Sequence, residues 1–306
     1  MPKTTVFEIA RGTFLTQLQG INTNLDGCIE GKDPIHLHDL RVANRRTRAA
    51  LVEFKTLFPG ETLAKYQDGF RWIQRVTGEV RDLDVGLQHI PVYQKQIPKE
   101  WRPYLEPLRI LFEDKREIAQ CVLVKDLQSA HLEEILNSWF DLLDSDLIKG
   151  SPLSIESARE YGCRRIVKRY QQARKKGRKL TKTTPAKDFH VYRITIKKLR
   201  YLMEFFRPVL NNEQFSSLRR GLKTVQDAFG MFQDTEVQAV NIRSLAGELH
   251  QQAVGADTLL ALGQLLGTLE KTHRKSKKTC LKQIRWITED TTARAFQTCF
   301  QYPVDQ

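Results

Sequence analysis

Apolar positions along the chain fall at helical spacing, and no run of alternating apolar residues supports a sheet. Phe7, Phe14, Leu18, Ile21, Leu25 and Ile29 predict an amphipathic helix over 7–29. Arg11 lies on that apolar stripe, so it needs a buried partner or an anion at the edge of the core. Gly31 and Pro34 punctuate the chain before a second helix over 38–58. That helix turns Leu40, Ala43, Thr47, Leu51, Phe54 and Phe58 inward and stops at Pro59 and Gly60. A third helix is predicted over 63–90, interrupted or bent near Gly78. Pro98, Pro103 and Pro107 crowd a loop or helix start, followed by helices over 104–123 and 127–147. The segment KGSPLS at 149–154 is a natural boundary. Beyond it come a basic helix over 155–179, a polar linker over 180–185, and helices over 189–210, 214–245 and 256–288. A last short helix runs through Phe300. The fold class is therefore all-α, as two related helical bundles spanning 1–150 and 151–306.

The halves are related because the chain repeats itself. At an offset of 152 residues (190 − 38), His38 meets His190, Arg41 meets Arg193, Arg45 meets Lys197, and Arg46 meets Lys198. Arg48 then meets Arg200 and Phe54 meets Phe206. The register continues through Gly78 with Gly230, Asp82 with Asp234 and Val85 with Val237. An ungapped repeat of this length implies duplicated architecture, with a near-twofold that sets His38 against His190.

Charge adds a ligand class to this picture. Lys and Arg number 49 against 36 Asp and Glu, a net charge of +13 over 306 residues, which favours an anionic partner. The cations cluster. Fifteen Lys or Arg and one acid lie between Cys163 and Arg200, and seven with no acid lie between Lys271 and Arg285. The five cysteines are odd in number, far apart and without a C-x-x-C, which suits free thiols in a reducing cytoplasm. No signal peptide or membrane span is expected.

Residues three and four apart share a helix face, so His38, Arg41, Arg45 and Arg48 form one stripe. His190, Arg193, Lys197 and Arg200 form its counterpart. Most charged helix faces are merely solvated, but those mix signs, whereas these stripes hold no carboxylate until Glu204. Like charges at these spacings cost each helix a few tenths of a kcal/mol per pair. Holding that repulsion twice, in register, points to an anion that cancels it. Arg165, Lys168, Gln172 and Lys175 on the basic helix are expected to line the same cavity. So are Arg71, its counterpart Lys223, and Arg75. Asp82 and Asp234 are read as anchors for neighbouring arginines rather than as metal ligands or catalytic acids.

Four ordered motifs carry a resemblance. His38-Asp39-Leu40-Arg41-Val42 continues to Arg45-Arg46-x-Arg48. Gly78-x-x-Arg81-Asp82-Leu83-Asp84-Val85 follows. His190-x-x-Arg193 leads to Lys197-Lys198-Leu199-Arg200-Tyr201, and Gln226-Asp227-x-x-Gly230-x-x-x-Asp234 closes the set. Together they resemble the CHAD domain, the conserved histidine α-helical domain, over nearly the whole chain and in its stand-alone form. One departure is Gln233, where the family usually shows Asn. The resemblance implies two four-helix bundles around a basic central channel that binds inorganic polyphosphate. It also implies association with polyphosphate granules, with polyphosphate-metabolising enzymes as candidate further partners.

The residue chemistry fits that ligand. Polyphosphate offers charge without bases or sugars, so its binder needs Lys and Arg and no stacking platform. Aromatic residues are sparse among the basic positions, Tyr201 excepted, whereas a binder of single-stranded nucleic acid would interleave them. Nucleic acid is then a competing polyanion. A metal-dependent phosphohydrolase is the remaining alternative. Against it stand the absence of H-E-x-x-H, Cys/His ligand spacing, a P-loop and a nucleophile elbow, and no cofactor is called for. His38 and His190 are expected to donate hydrogen bonds to phosphate or to cap their helices.

Overall fold

The computed structural model describes residues 3–145, 148 and 150–301. In chain order its helices are α1 (Val6–Glu30), α2 (Pro34–Glu53), α3 (Gly60–Val76), α4 (Gly78–Gln96), α5 (Glu106–Leu127) and α6 (Ala130–Asp144). The second half contributes α7 (Ala158–Gly177), α8 (Ala186–Phe205), the single turn α9 (Arg207–Leu210), α10 (Glu213–Gln251), α11 (Ala256–Thr288) and α12 (Asp290–Phe300). Short 3-10 turns cover Lys55–Leu57, Lys99–Leu105 and Pro152–Ile155. The chain is all-α, and among the described residues β structure is confined to one isolated bridge. The predicted end of the 127–147 helix and the start of the 149–154 boundary lie outside the described residues.

The helix ends follow local chemistry. Thr5 and Glu8 form a reciprocal capping box on α1, and Gly31 ends that helix in the left-handed conformation, with φ 68°. Asp33 caps α2, and Pro34 occupies its first turn, so α2 begins one turn before the sequence pattern suggested. Arg11 finds its partners at the end of α6: Nε donates to Leu143 O at 3.0 Å and Nη2 to Asp144 Oδ1 at 2.7 Å.

The repeat extends to the helix boundaries. Adding 152 to Pro34–Glu53 gives the limits of α8, and adding it to Val6 gives the start of α7. The repeat breaks down at one point. The bend near Gly78 is a real break at Thr77, but α10 runs through Gly230 without interruption. Thr77 Oγ1 donates back to Ile73 O at 2.7 Å and accepts from Arg41, which holds the chain open there. The residue in register is Phe229, which is fully buried and has no hydroxyl to compete for the backbone.

The two halves share one connected apolar core. Phe54, the C-cap of α2, is fully buried, with its ring 5.9 Å from Phe205 and 5.7 Å from Phe206. Polar contacts reinforce the seam. Val6 N donates to Glu156 O and Ala158 N to Thr4 O, each at 2.9 Å, and the 152-residue offset exchanges these two bonds. Glu53, only 3% exposed, accepts from Arg165 at 2.7 Å and Arg169 at 2.6 Å. Glu204 takes Arg46 from the first half and Arg200, at 3.0 Å, from its own helix. Breaking such partly buried pairs from one side is costly, because the remaining charge is stranded.

Because the seam is part of the core, the halves should melt together. Phe54→Ala should cost about 3–5 kcal/mol, the usual range for a large aromatic emptied from a core. Calorimetry should still give a single transition. Two separated transitions, with only one displaced, would mean that the halves fold independently.

Candidate functional site

The site grows from how α2 and α8 are seated. Leu37, Leu40, Ala43, Thr47 and Leu51 bury one side of α2, which leaves His38, Arg41, Arg45 and Arg48 half-buried on its flank. On α8, Phe189, Tyr192, Ile196 and Leu199 are buried, and Arg193, Lys197 and Arg200 are half-buried beside them. The two helices pack against each other, so the stripes meet. Arg45 crosses the seam, its Nε donating to Tyr201 Oη at 3.1 Å.

These cations depress one another. Burial first, then Arg193, Arg45 and Arg200, push the Lys197 ammonium down to about 8, and Asp234 opposes in part. Burial also lowers Arg41; Asp82 opposes it, and Arg45, Arg81 and Arg48 add to the shift. Arg48 is lowered by burial and then by Arg71. His38 is held below the ordinary histidine range by burial, followed by Arg81. Arg41 is partly satisfied, since its Nη1 donates to Gln74 O at 2.9 Å and Thr77 Oγ1 at 2.7 Å. Its counterpart Arg193 meets an unbroken helix instead, and its Nε is buried without a hydrogen-bond partner.

A cavity of about 470 Å³ opens between the halves. α2 supplies His38, Arg41 and Arg45 to its wall, and α4 supplies Arg81, Asp82, His89 and Tyr93. α5 adds Phe112, and α10 adds Asp234, Val237, Gln238 and Asn241. Asp82 and Asp234 reach solvent, yet the protein around them raises both carboxyls; Arg41 and Arg81 oppose this at Asp82, and Arg193, His89 and Lys197 at Asp234. Each therefore has an arginine of its own half as its leading charge neighbour. His89 Nδ1 donates to Val85 O at 2.7 Å, and His89 Nε2 accepts from Gln238 at 3.2 Å, which leaves this ring no spare donor. Among the described residues, no three metal-ligating side chains converge.

The remaining predicted site residues lie elsewhere. Arg46 and Arg165 point into the seam, taken by Glu204 and Glu53. Lys168 and Lys175 stand on the exposed face of α7, because Ile166, Tyr170 and Ala173 turn its other side into the core. Arg71 pairs with Asp68, and Lys223 with Asp227 at 3.0 Å; both cations are exposed, as are Arg75 and Lys198. His190 is exposed and its Nδ1 lies 2.6 Å from Gln233 Oε1, whereas His38 is half-buried in the cavity wall. Neither histidine caps its helix, since Asp33 and Pro185 hold those positions. Arg81, His89, Tyr93 and Gln238 belong to the cavity although the stripes did not include them. Helical spacing from Asp82 and Val85 could have found His89, which lies one turn beyond Val85. Arg81 stands at the position whose counterpart is Gln233.

The crystal structure of the CHAD domain from the plant Ricinus communis superposes with a TM-score of 0.72 at 21% sequence identity, covering 98% of this chain and 92% of that one. PptA from Streptomyces chartreusis gives a TM-score of 0.67 at 14% identity, covering 93% of this chain and 99% of that one. No curated protein matches the sequence. These structural likenesses establish the fold. The sequence profile of the CHAD domain matches residues 13–243, so this all-α chain, with its repeated His-x-x-Arg stripes, belongs to the CHAD domain family.

Proposed function

We propose that the protein binds inorganic polyphosphate between α2 and α8, as a binding module without catalysis. The observation that carries this reading is the company Lys197 keeps. Folding brings Arg45 from one half against Arg193, Lys197 and Arg200 from the other, and partial burial together with these like charges pushes the half-buried Lys197 ammonium down to about 8. A protein that assembles such repulsion from two halves gains when an anion neutralises it. The ligand class follows from what the site offers: guanidinium forks and an ammonium, with Tyr93, Phe112 and Tyr201 as its few aromatic neighbours and no series of stacking rings. Family membership supports the same ligand, since the CHAD resemblance implies polyphosphate. His38, Arg41, Arg45, Arg193, Lys197 and Arg200 are the core of the proposed site. Arg48, Arg71, Arg75, Lys198 and Lys223 extend it outward, and Arg46 and Arg165 hold the seam on which it rests. Among the described residues no helix is long and apolar enough to cross a membrane. A cytoplasmic protein recruited to polyphosphate granules is the cellular counterpart of this reading.

Two tests follow. Reversing one charge on each side, as Arg45→Glu with Lys197→Glu, should weaken polyphosphate binding more than either change alone. It should also flatten the dependence of log affinity on log salt by about 1.4, from two cations at about 0.7 each, because each phosphate left unneutralised keeps its condensed counterion. Thermal stability of the free protein should hold or rise, since repulsion is relieved. Equal affinity and an equal slope would mean that the stripes are ordinary solvated faces.

The second test uses pH. The folded protein binds fewer protons than the unfolded chain between about 8 and the ordinary lysine value, so Lys197 makes the free protein more stable as pH rises through that window. Binding works in the opposite direction. A bound anion favours the ammonium, so complex formation near pH 8 should take up protons, and affinity should fall as pH rises past 8. Calorimetry in buffers of different ionisation enthalpy reads the uptake directly. Lys197→Arg, which cannot lose its charge in this range, should abolish it. Proton uptake that survives Lys197→Arg would assign it to another group.

A further inference from the structure

The proposed site between α2 and α8 draws on one of the two cationic clusters of the sequence, through Arg193, Lys197 and Arg200, and leaves the other unused. On α11, Lys271, Arg274, Lys275, Lys278, Lys282 and Arg285 are all exposed, and none of the six forms an ion pair among the described residues. At 100° per residue they occupy one sector of the helix, opposite buried Leu269, Ser276, Cys280 and Ile287. The stripe covers fourteen residue steps, about 21 Å at the helical rise. No acid interrupts it.

This face is separate from the cavity. The body of α10 lies between them. His273 of α11 stacks on Phe232 at 4.2 Å, and Cys280 Sγ donates to Ala228 O at 3.3 Å, so one side of α10 packs on α11. The other side of α10 supplies Asp234, Val237 and Asn241 to the cavity. The loop before α8 is pinned to α11 by Lys277 Nζ, which donates to Thr184 O at 2.8 Å, and this brings exposed Lys179 and Lys182 to the edge of the stripe. The counterpart of α11 in the first half, α5, has no such face and leaves Ile118 and Val122 exposed instead, at 69% and 56%.

We propose that the outer face of α11 is a second polyphosphate-binding surface, so that one molecule engages the polymer at two places and cross-links long chains. This rests on the reading of the cavity as the first site. Charge complementarity selects a polyanion. The absence of any exposed aromatic ring along the stripe disfavours single-stranded nucleic acid, which binds by stacking. A single convex row of cations suits a flexible chain that can follow it, more than a duplex whose second strand would need another contacting element. The unpaired like charges at three- and four-residue spacing also weigh on the helix until an anion covers them. Two modest sites on one polymer act as a linked pair, whose joint affinity exceeds either alone by orders of magnitude.

The test compares three full-length proteins: wild type, the cavity double variant Arg45→Glu/Lys197→Glu, and a stripe variant with Lys271, Lys275, Lys278 and Lys282 changed to Gln. None of those four lysines has an intramolecular partner among the described residues, and thermal melts confirm that the stripe variant is folded. Each protein is titrated with a short polyphosphate and with a long one, and light scattering follows cross-linking by the long chain. The proposal expects the stripe variant to keep wild-type affinity for the short ligand. It should bind the long one at least tenfold more weakly, with a salt slope shallower by roughly three, from four removed cations at about 0.7 each. Scattering should fall to the baseline. A stripe variant that cross-links long polyphosphate as well as wild type overturns the proposal. So does a stripe variant that loses affinity for duplex DNA alone, which would make the face a nucleic-acid surface. Failure of the cavity reading looks different: the cavity variant would bind the short ligand like wild type, while the stripe variant would still lose affinity for the long one.

Discussion

The structure depends on the contact between α2 and α8, where an apolar seam and a set of like charges must be accommodated by the same two helices. Each helix buries one side in the shared core, through Ala50 and Leu51 on α2 with Phe54 just beyond it, and Leu199 and Leu202 on α8 with Phe206 just beyond it. That burial fixes the rotation of both helices. The stripes of cations then have no freedom to turn away from each other, and their repulsion is sustained by hydrophobic burial, the larger and non-directional term. The carboxylates around the seam sort the cations. Glu53 takes Arg165 and Arg169, and Glu204 takes Arg46 and Arg200. What they leave uncompensated, around Arg45, Arg193 and Lys197, is where an anion is wanted.

The duplication explains much of this arrangement, and the departures from it explain the rest. Asp82 and Asp234 each sit before an arginine of the same half, as the repeat requires. Thr77 against Phe229 is the largest departure. A hydroxyl that bonds its own backbone splits one copy into α3 and α4, while a phenyl ring keeps the other as the single helix α10. Arg41 gains two acceptors at the break, whereas among the described residues the Nε of Arg193 finds none. His38 beside Arg81 and His190 beside Gln233 are a second departure, which leaves one histidine in the cavity wall and the other in solvent. The cavity is thus lined unequally, with Arg41, Arg45 and Arg81 all from the first half, while Arg193 and Lys197 reach it only through their charge interaction with Asp234.

Much of the fold was legible because helical periodicity and a fixed repeat offset are local or countable properties. The limits of α2 shifted by 152 are the limits of α8, and the predicted 256–288 helix matches α11 to the residue. The site was legible only where it shares that periodicity. Arg41, Arg45, Arg193, Lys197 and Arg200 lie on faces that the spacing defines. Arg165 does too, but Glu53, which claims it, is 112 residues away, and nothing in the spacing reveals a partner at that separation. Lys168 and Lys175 share a face with Arg165 by helical spacing. The core set by Ile166 and Tyr170 turns that face outward as α7 leaves the seam. Arg81, His89 and Gln238 entered the cavity because α4 and α10 face each other across it, where Gln238 donates to His89, a tertiary event with no local signal. The basic run on α11 was plain in the sequence, and only the packing showed that it faces away from the cavity.

A crystal structure of the complex with a short polyphosphate tests the central claim most directly. The account predicts phosphate density between α2 and α8, with Arg41 and Arg45 donating from one side and Arg193 and Lys197 from the other. Density confined to the outer surfaces of α7 or α11, with the space between α2 and α8 holding only water, would contradict it.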